Sequence, residues 1–309
     1  MNKPNIAVVG SLNMDLVVTV DRMPKIGETL PGESLKIIPG GKGANQAISC
    51  AKLGADVSMI GALGHDAFGE QILTQLNNHH MTTDYIAITK QAQTGTATIL
   101  HTKEDNCIVA VPGANDHCTS TWITTQDAVW KQSDVLLVQL EIPISSVQTA
   151  LELARLHQVK TIVNPAPAKP LSDEMLALAD VFTPNETEFE FYCQSTITSE
   201  EELFFHMKRW QQKYDQQLLI VTRGKHGVSY VANNEIVTVH APKNVAVVDT
   251  TGAGDCLNGA LAYAIANDWE LQDCLVFAVE AASLSVTKFG AQAGMPTLEE
   301  VQQRVALRK

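Results

Sequence analysis

Two spacings of apolar residues alternate along the chain. Short continuous apolar runs suit central strands buried on both faces, and stretches with apolar residues three and four apart suit helices packed against them. Ile6 to Gly10 is the first such run. From Asp134 onward the alternation becomes regular. Val135 to Val138 predicts a strand ending at Gln139-Leu140-Glu141, followed by a helix over Ser145 to His157. Thr161 to Val163 predicts a strand ending at Asn164-Pro165-Ala166-Pro167, then a helix near Ser172 to Ala179. Val181 to Thr183 ends at Pro184-Asn185-Glu186-Thr187-Glu188 and precedes a helix near Glu200 to Tyr214. Leu218 to Val221 ends at Thr222-Arg223-Gly224-Lys225-His226-Gly227. Strands alternating with helices predict an α/β fold with a parallel, doubly wound sheet flanked by helices. Such sheets bind ligands beyond the carboxyl ends of their strands. Glu141, Asn164, Asn185, Glu188 and Thr222 all fall at such ends; any one could be a turn residue, but their succession favours a site.

The first third is less regular. Asp21 to Pro39 is broken by prolines and glycines and holds strand-like pieces such as Ser34 to Ile38. Thr96 to Leu100 and Cys107 to Val111 flank Lys103-Glu104-Asp105-Asn106 and predict a β-hairpin. These pieces predict a small β lid, segments about 13–39 and 95–112, inserted into a single domain spanning 1–309. Between and after them, strands are expected at Asp56 to Gly61 and Tyr85 to Ile88, and a helix at Phe68 to Asn77. Asn13 and Asp15 are two apart, so on an extended backbone both point to one face, at the end of the first central strand. That placement suits recognition of hydroxyls, although both residue types also favour turns.

Two glycine-rich stretches carry the candidate chemistry. Pro39-Gly40-Gly41-Lys42-Gly43-Ala44-Asn45-Gln46 opens a helix expected from Ala44 to Leu53 and stopped at Gly54. It is not a Walker A loop, because Lys36 stands where that loop needs its first glycine and no Ser or Thr follows Lys42. The second stretch, Asp249-Thr250-Thr251-Gly252-Ala253-Gly254-Asp255, follows the β-branched run Val245 to Val248, a strand or a loop. It leads into a buried helix with Cys256, Leu257, Ala260, Leu261 and Ala264 on one face. Free N–H groups at a helix start attract anions. A carboxylate set beside them at Asp255 is either a helix cap or a base that takes a proton from a nucleophile. Beyond it the chain reads as helical at Leu271 to Ser285 and Leu298 to Leu307.

Composition narrows the function classes. The 309 residues are 45% hydrophobic and 18% charged, with a net charge of −12, which disfavours general nucleic-acid binding. Any anionic ligand must then be held by local N–H groups and a few basic side chains. The six cysteines show no C-x-x-C spacing, which points to reduced thiols in a cytoplasmic protein. The nine histidines show no H-E-x-x-H spacing, and no apolar run is long enough for a membrane span.

Gly10-Ser11-Leu12-Asn13-Met14-Asp15, Gly40 to Gln46, Asn164-Pro165-Ala166-Pro167, Pro184 to Glu188 and Asp249 to Asp255 together resemble the PfkB carbohydrate kinases, nearly end to end. The resemblance implies that family's doubly wound fold with a β lid. It also implies ATP-dependent phosphorylation of a sugar, D-ribose to ribose 5-phosphate. It assigns Asn13, Asp15, Gly41, Lys42, Asn45 and Glu141 to the sugar hydroxyls and Asp255 to the base that deprotonates the 5-hydroxyl. Gly252, Ala253 and Gly254 become the anion hole. Asn185 and Thr222, Arg223, Gly224, Lys225, His226 and Gly227 hold the nucleotide, with Gly254 against its phosphates, and Glu188 is linked to Mg²⁺. A monovalent cation, usually K⁺, is implied at Asp249, Thr251, Ser285, Lys288, Gly290 and Gly294. Val279 departs from the pattern, standing where many members carry a histidine near the adenine. A homodimer through the lid is implied as well.

Other readings are a family kinase for deoxyribose, another pentose or a nucleoside, and a catalytically silent sugar sensor. The sensor reading predicts loss of the base or anion hole, yet Asp255, Gly252 and Gly254 are present. A dehydrogenase would need Gly-x-Gly-x-x-Gly after the first strand, where Gly10 is followed by Ser11 and Asn13.

Overall fold

The computed structural model describes residues 3–102 and 106–308. In chain order, β1 (Asn5–Val9), β2 (Asn13–Thr19) and β3 (Ser34–Gly40) lead to helix α1 (Lys42–Lys52), β4 (Asp56–Gly64) and α2 (Ala67–Asn78). Then come β5 (Ile86–Thr89), β6 (Gly95–His101), β7 (Asn106–Val111), α3 (Ser120–Thr124) and α4 (Asp127–Gln132). The regular part follows with β8 (Val135–Gln139), α5 (Ile144–Leu156), β9 (Lys160–Asn164), α6 (Asp173–Leu176), β10 (Val181–Phe182), α7 (Glu186–Cys193), α8 (Glu200–Lys213) and β11 (Leu218–Thr222). The chain closes with β12 (Val228–Ala232), β13 (Glu235–Val239), α9 (Ala253–Ala266), α10 (Leu271–Ser285), α11 (Ala291–Gly294) and α12 (Leu298–Arg308).

The main sheet has nine strands in the order β13-β12-β11-β10-β9-β8-β1-β4-β5. Its strands from β5 to β11 run parallel, and β12 and β13 are added antiparallel. Alternation along β1 explains the layering. Ile6 and Val8 face a core shared with α1, α2, α9, α10 and α12, whereas Ala7 and Val9 face a second core shared with α3 to α8. Both faces are therefore covered, as a parallel sheet requires.

The lid is a separate four-stranded sheet ordered β3-β2-β6-β7, in which β2 and β6 are parallel. The expected hairpin is present as antiparallel β6–β7, and it does join the earlier β excursion. Its predicted turn at Lys103, Glu104 and Asp105 lies outside the described residues.

The structure corrects several expectations. Asn13 and Asp15 are not at the end of the central strand; they open the lid strand β2. Val245 to Val248, left open as a strand or a loop, is loop, with Val247 and Val248 exposed. The helix expected near Ser172 to Ala179 shortens to α6, with Ser172 as its N-cap. The segment Pro184 to Glu188 is not only a strand end. Asn185 and Glu188 form a capping box that starts α7, each bonding the other's backbone N–H.

Candidate active site

The site lies where the carboxyl ends of β1, β8, β9 and β11 meet the starts of α1 and α9 under the lid. α1 begins directly after Gly41 and brings Lys42, Asn45 and Gln46 to this edge. Asp255 stands in the first turn of α9, buried at 7% exposure. One of its oxygens accepts from the Asn45 amide at 2.9 Å and the other from the Gln46 amide at 3.0 Å. The carboxylate is thus aimed by two residues of the first glycine stretch, more than 200 positions away in the chain.

Those amides are held in turn. Asn45 Oδ1 accepts from Gln292, and Gln46 bridges to Asn164 at 3.0 Å and to Gln139 at 2.5 Å. Asn164 continues to the Thr183 carbonyl, Thr183 to Asn258 at 2.6 Å, and Asn258 back to the Gly254 carbonyl at 2.9 Å. A buried polar chain therefore runs across the strand ends and closes on the turn that carries Asp255. Connected networks of this kind fix one arrangement of their members.

The charged groups form a tight set. Glu141 accepts from Ser11 Oγ at 2.5 Å and from the Lys42 backbone at 3.2 Å, and its carboxylate lies 4.0 Å from Lys42 Nζ. Burial acts against the charge on Lys42, but Asp255, Glu141, Glu188 and Asp15 together hold its pKa above the usual lysine value. Burial raises Asp255, against the pull of Lys42 and its two amide donors. Burial also raises Glu188, which Asn185 and Lys42 counter. Asp15 is pushed up to about 7 by burial and by the neighbouring Glu141 and Asp255. Asn13 is fixed by Asn115, whose amide donates to it at 2.7 Å while its carbonyl receives the Leu12 N–H.

The Asp15 shift has a measurable consequence. A carboxyl raised in the folded state contributes stability that is complete below the unfolded pKa, near 4, and is lost as pH rises through about 7. Between pH 5 and 8 the ligand-free protein should therefore lose stability, and Asp15→Asn should flatten that part of the curve. Thermal melting against pH checks this; parallel curves for the two proteins would count against it.

The second glycine stretch opens α9 with bare backbone amides. Gly252 caps α9 with a φ of 79°. Among the described residues, the Gly252 and Gly254 amides have no partner in the chain, whereas the Ala253 amide donates to Thr250 at 3.2 Å. Gly254 faces open space. Bare N–H groups at a helix start, in a wall that also holds an acid, can stabilise charge that develops on a transferring group.

The other expected residues fall around this centre. Asp249 accepts the Thr251 N–H at 2.9 Å and the Gly290 N–H at 2.8 Å. Gly294 packs so closely on the Ser285 carbonyl that a Cβ would come within 2.3 Å of it. A side chain at 294 would crowd that oxygen, and a carboxylate with backbone carbonyls is a donor set that suits a hard cation. The Lys288 ammonium instead pairs with Glu300 at 3.5 Å. Of the residues expected to hold a nucleotide, Asn185 and Thr222 are bridged side by side, and Gly224–His226 form a 3₁₀ turn with Lys225 and His226 exposed. Arg223 differs: its guanidinium is buried and bonds Glu186, Glu200 and Ser229, tying together α7, α8 and β12. Val279 is buried in the apolar core. Sequence reasoning gave no roles to Gln46, Gln139, Gln292 and Asn115. They lack local signals, since each is recognised only by a partner that the fold brings near.

A profile of the pfkB family of carbohydrate kinases matches residues 3–298. The chain belongs to that family. This kinase is 42% identical over 299 residues to the ribokinase of Bacillus subtilis, covering 97% of this chain and 98% of that one. It is 35% identical to the ribokinase of Schizosaccharomyces pombe, with 99% of both chains covered. Its fold matches a ribokinase structure from Arabidopsis thaliana, complexed with ribose and ATP, at a TM-score of 0.89 and 29% identity over 99% of both chains. The α/β architecture with a β lid is thus the fold the kinase shares with these relatives.

Proposed function

We propose that this kinase transfers the γ-phosphoryl group of ATP to the 5-hydroxyl of D-ribose, giving ribose 5-phosphate and ADP. The observation that carries the reading is Asp255, an aimed and buried carboxylate one residue beyond an open N–H cradle, close enough to Asp15 and Lys42 to shift and be shifted by their charges. Relatives named ribokinase in bacteria and eukaryotes support ribose as the sugar.

Asn13, Asp15, Gly41, Lys42, Asn45 and Glu141 line the sugar side. Asp255 takes the proton from the attacking hydroxyl, and burial raises its proton affinity toward that task. The Gly252 and Gly254 amides meet charge on the γ-phosphoryl oxygens, and the Ala253 amide joins them once released from Thr250. Phosphoryl transfer needs such positioning and electrostatic help more than covalent chemistry. Asn185 and Thr222 to Gly227 hold the nucleotide, Arg223 by bracing its wall. Glu188 would help hold Mg²⁺, which commonly takes few protein ligands. When bound, it neutralises phosphate charge.

A monovalent cation beside the cradle would take Asp249, Thr251 and the carbonyls near Ser285, Lys288, Gly290 and Gly294. Exchanging K⁺ for Na⁺ should lower activity; equal rates in both would remove the cation from the scheme. Leu35, Ile37, Val109 and Val111 leave one face of the lid apolar and exposed, which supports a homodimer through the lid; a mass by light scattering equal to one chain would refute it. We read the chain as one domain with the lid inserted. No described helix is long and apolar enough to cross a membrane, and all six thiols are free, in keeping with a cytoplasmic setting.

ADP release measured across ribose, deoxyribose, fructose and nucleosides tests the substrate. A deoxy sugar leaves one polar partner unsatisfied, a penalty of roughly 1–3 kcal/mol, so ribose should lead by about tenfold or more. Equal rates with deoxyribose would redirect the reading to another pentose.

A further inference from the structure

A cavity of about 210 Å³ separates the inner face of the lid from the loop between α10 and α11, and Asp15, Val17, Ile99, His101 and Phe289 are among its walls. Phe289 is the loop's only described residue packed into the apolar cluster of the lid, formed by Val17, Ala97 and Ile99 with Ile38. The same ring lies 3.6 Å beneath the Lys36 ammonium of β3 and meets the His101 ring of β6 edge-on at 6.3 Å. Three lid strands therefore grip one side chain.

The residues after Phe289 reach the anion cradle directly. The Gly290 N–H donates to one oxygen of Asp249 at 2.8 Å, and the other oxygen holds the Thr251 N–H at 2.9 Å. Ala291 presses on Gly252 so closely that a Cβ on that glycine would lie 2.6 Å from the Ala291 Cβ. The path from lid to cradle is thus two residues of backbone beyond a gripped ring, with one hydrogen-bonded carboxylate and one tight contact at its far end.

We propose that Phe289 is a positioning residue that couples the seating of the lid to the geometry of the Gly252–Gly254 turn. Lid strands settled on the ring hold Gly290 and Ala291 in place, and these hold Asp249, Thr251 and Gly252. The cradle then takes its working shape when the lid covers the sugar, so phosphoryl transfer to water in an open site is suppressed. The catalytic part of this proposal rests on the kinase reading above; the mechanical part does not.

Hydrogen exchange of the 249–255 segment tests the coupling without any turnover. Phe289→Ala, the milder Phe289→Leu, and the lid variant Ile99→Ala should each raise exchange in that segment. The Phe289→Ala/Ile99→Ala double variant should raise it no further than the stronger single change, because the residues act as one unit. Unchanged exchange at 249–255, or fully additive effects, would overturn the latch. In the ADP-release assay, Phe289→Ala should lower kcat roughly 10- to 100-fold with KM for sugar and ATP nearly unchanged, the mark of a displaced catalytic group. A purely structural role would lower the melting temperature and leave kcat within twofold. If the unaltered protein released no ADP with any sugar, the kinase reading would fall while the exchange measurements still decided the coupling.

Discussion

Asp255→Ala should lower turnover by about 10²- to 10⁴-fold while sugar still binds. A carboxylate acting as the base would do little for ground-state binding and much for the proton that leaves the hydroxyl. The lesser change to asparagine is not milder here. Both oxygens of Asp255 receive amide N–H groups, from Asn45 and Gln46. An asparagine would turn one N–H₂ toward a donor and leave it unsatisfied in a buried site, so Asp255→Asn should lose stability as well as rate. Because burial raises the proton affinity of Asp255, the acid limb of the rate profile should sit above that of an ordinary aspartate. Steady-state kinetics with calorimetric sugar binding separates these effects. Near-normal turnover in Asp255→Ala would remove it as the base.

Gly252→Ala should be nearly as damaging, with a loss of about 10²- to 10³-fold in kcat, as for removal of an oxyanion donor. Two separate constraints act at this position. A φ of 79° is a conformation that side-chain-bearing residues adopt at a cost, and the added methyl would meet Ala291 at 2.6 Å. Neither can relax without turning the amides that follow. Sugar affinity should hardly change, because the residues proposed to hold the sugar lie on the lid, at the start of α1 and, for Glu141, just after β8, away from this turn. A kcat within threefold of the unaltered protein would show that the cradle does not depend on this turn.

The repeated strand-helix units were legible because each carries its own local signal, an apolar run followed by helical spacing. The two glycine stretches were legible for the same reason. What escaped detection divides by cause. The β12–β13 hairpin had its signal, Asn233-Asn234, both with positive φ, between alternating runs, yet it is off the parallel repeat. The helix α7 hid behind Asn185 and Glu188, whose Asn-x-x-Glu spacing serves as a capping box as well as a strand end. Asn13 and Asp15 read both as the end of the first central strand and as the start of lid segment 13–39; Gly10-Ser11-Leu12 turns the chain out of the main sheet before them, so they belong to the lid alone. The bracing of Asp255 could not be read locally. Gln46 bonds it directly, Gln139 holds Gln46 and Gln292 holds Asn45, and only the closed fold makes these residues neighbours.

One further feature of the pocket bears on which sugars can enter it. Asp15, Glu141, Glu188 and Asp255 surround the single ammonium of Lys42, so the chamber holds more acid than base. An uncharged polyol crosses such a field freely. A sugar already esterified with phosphate brings its own negative charge, and at about 5 Å each unit pair repels by about 3 kcal/mol at an effective dielectric of 20. The same repulsion meets the newly made ester once ADP has gone. Pre-phosphorylated sugars should therefore be poorer substrates than free ones, and more so as pH rises through about 7 and Asp15 takes up its charge.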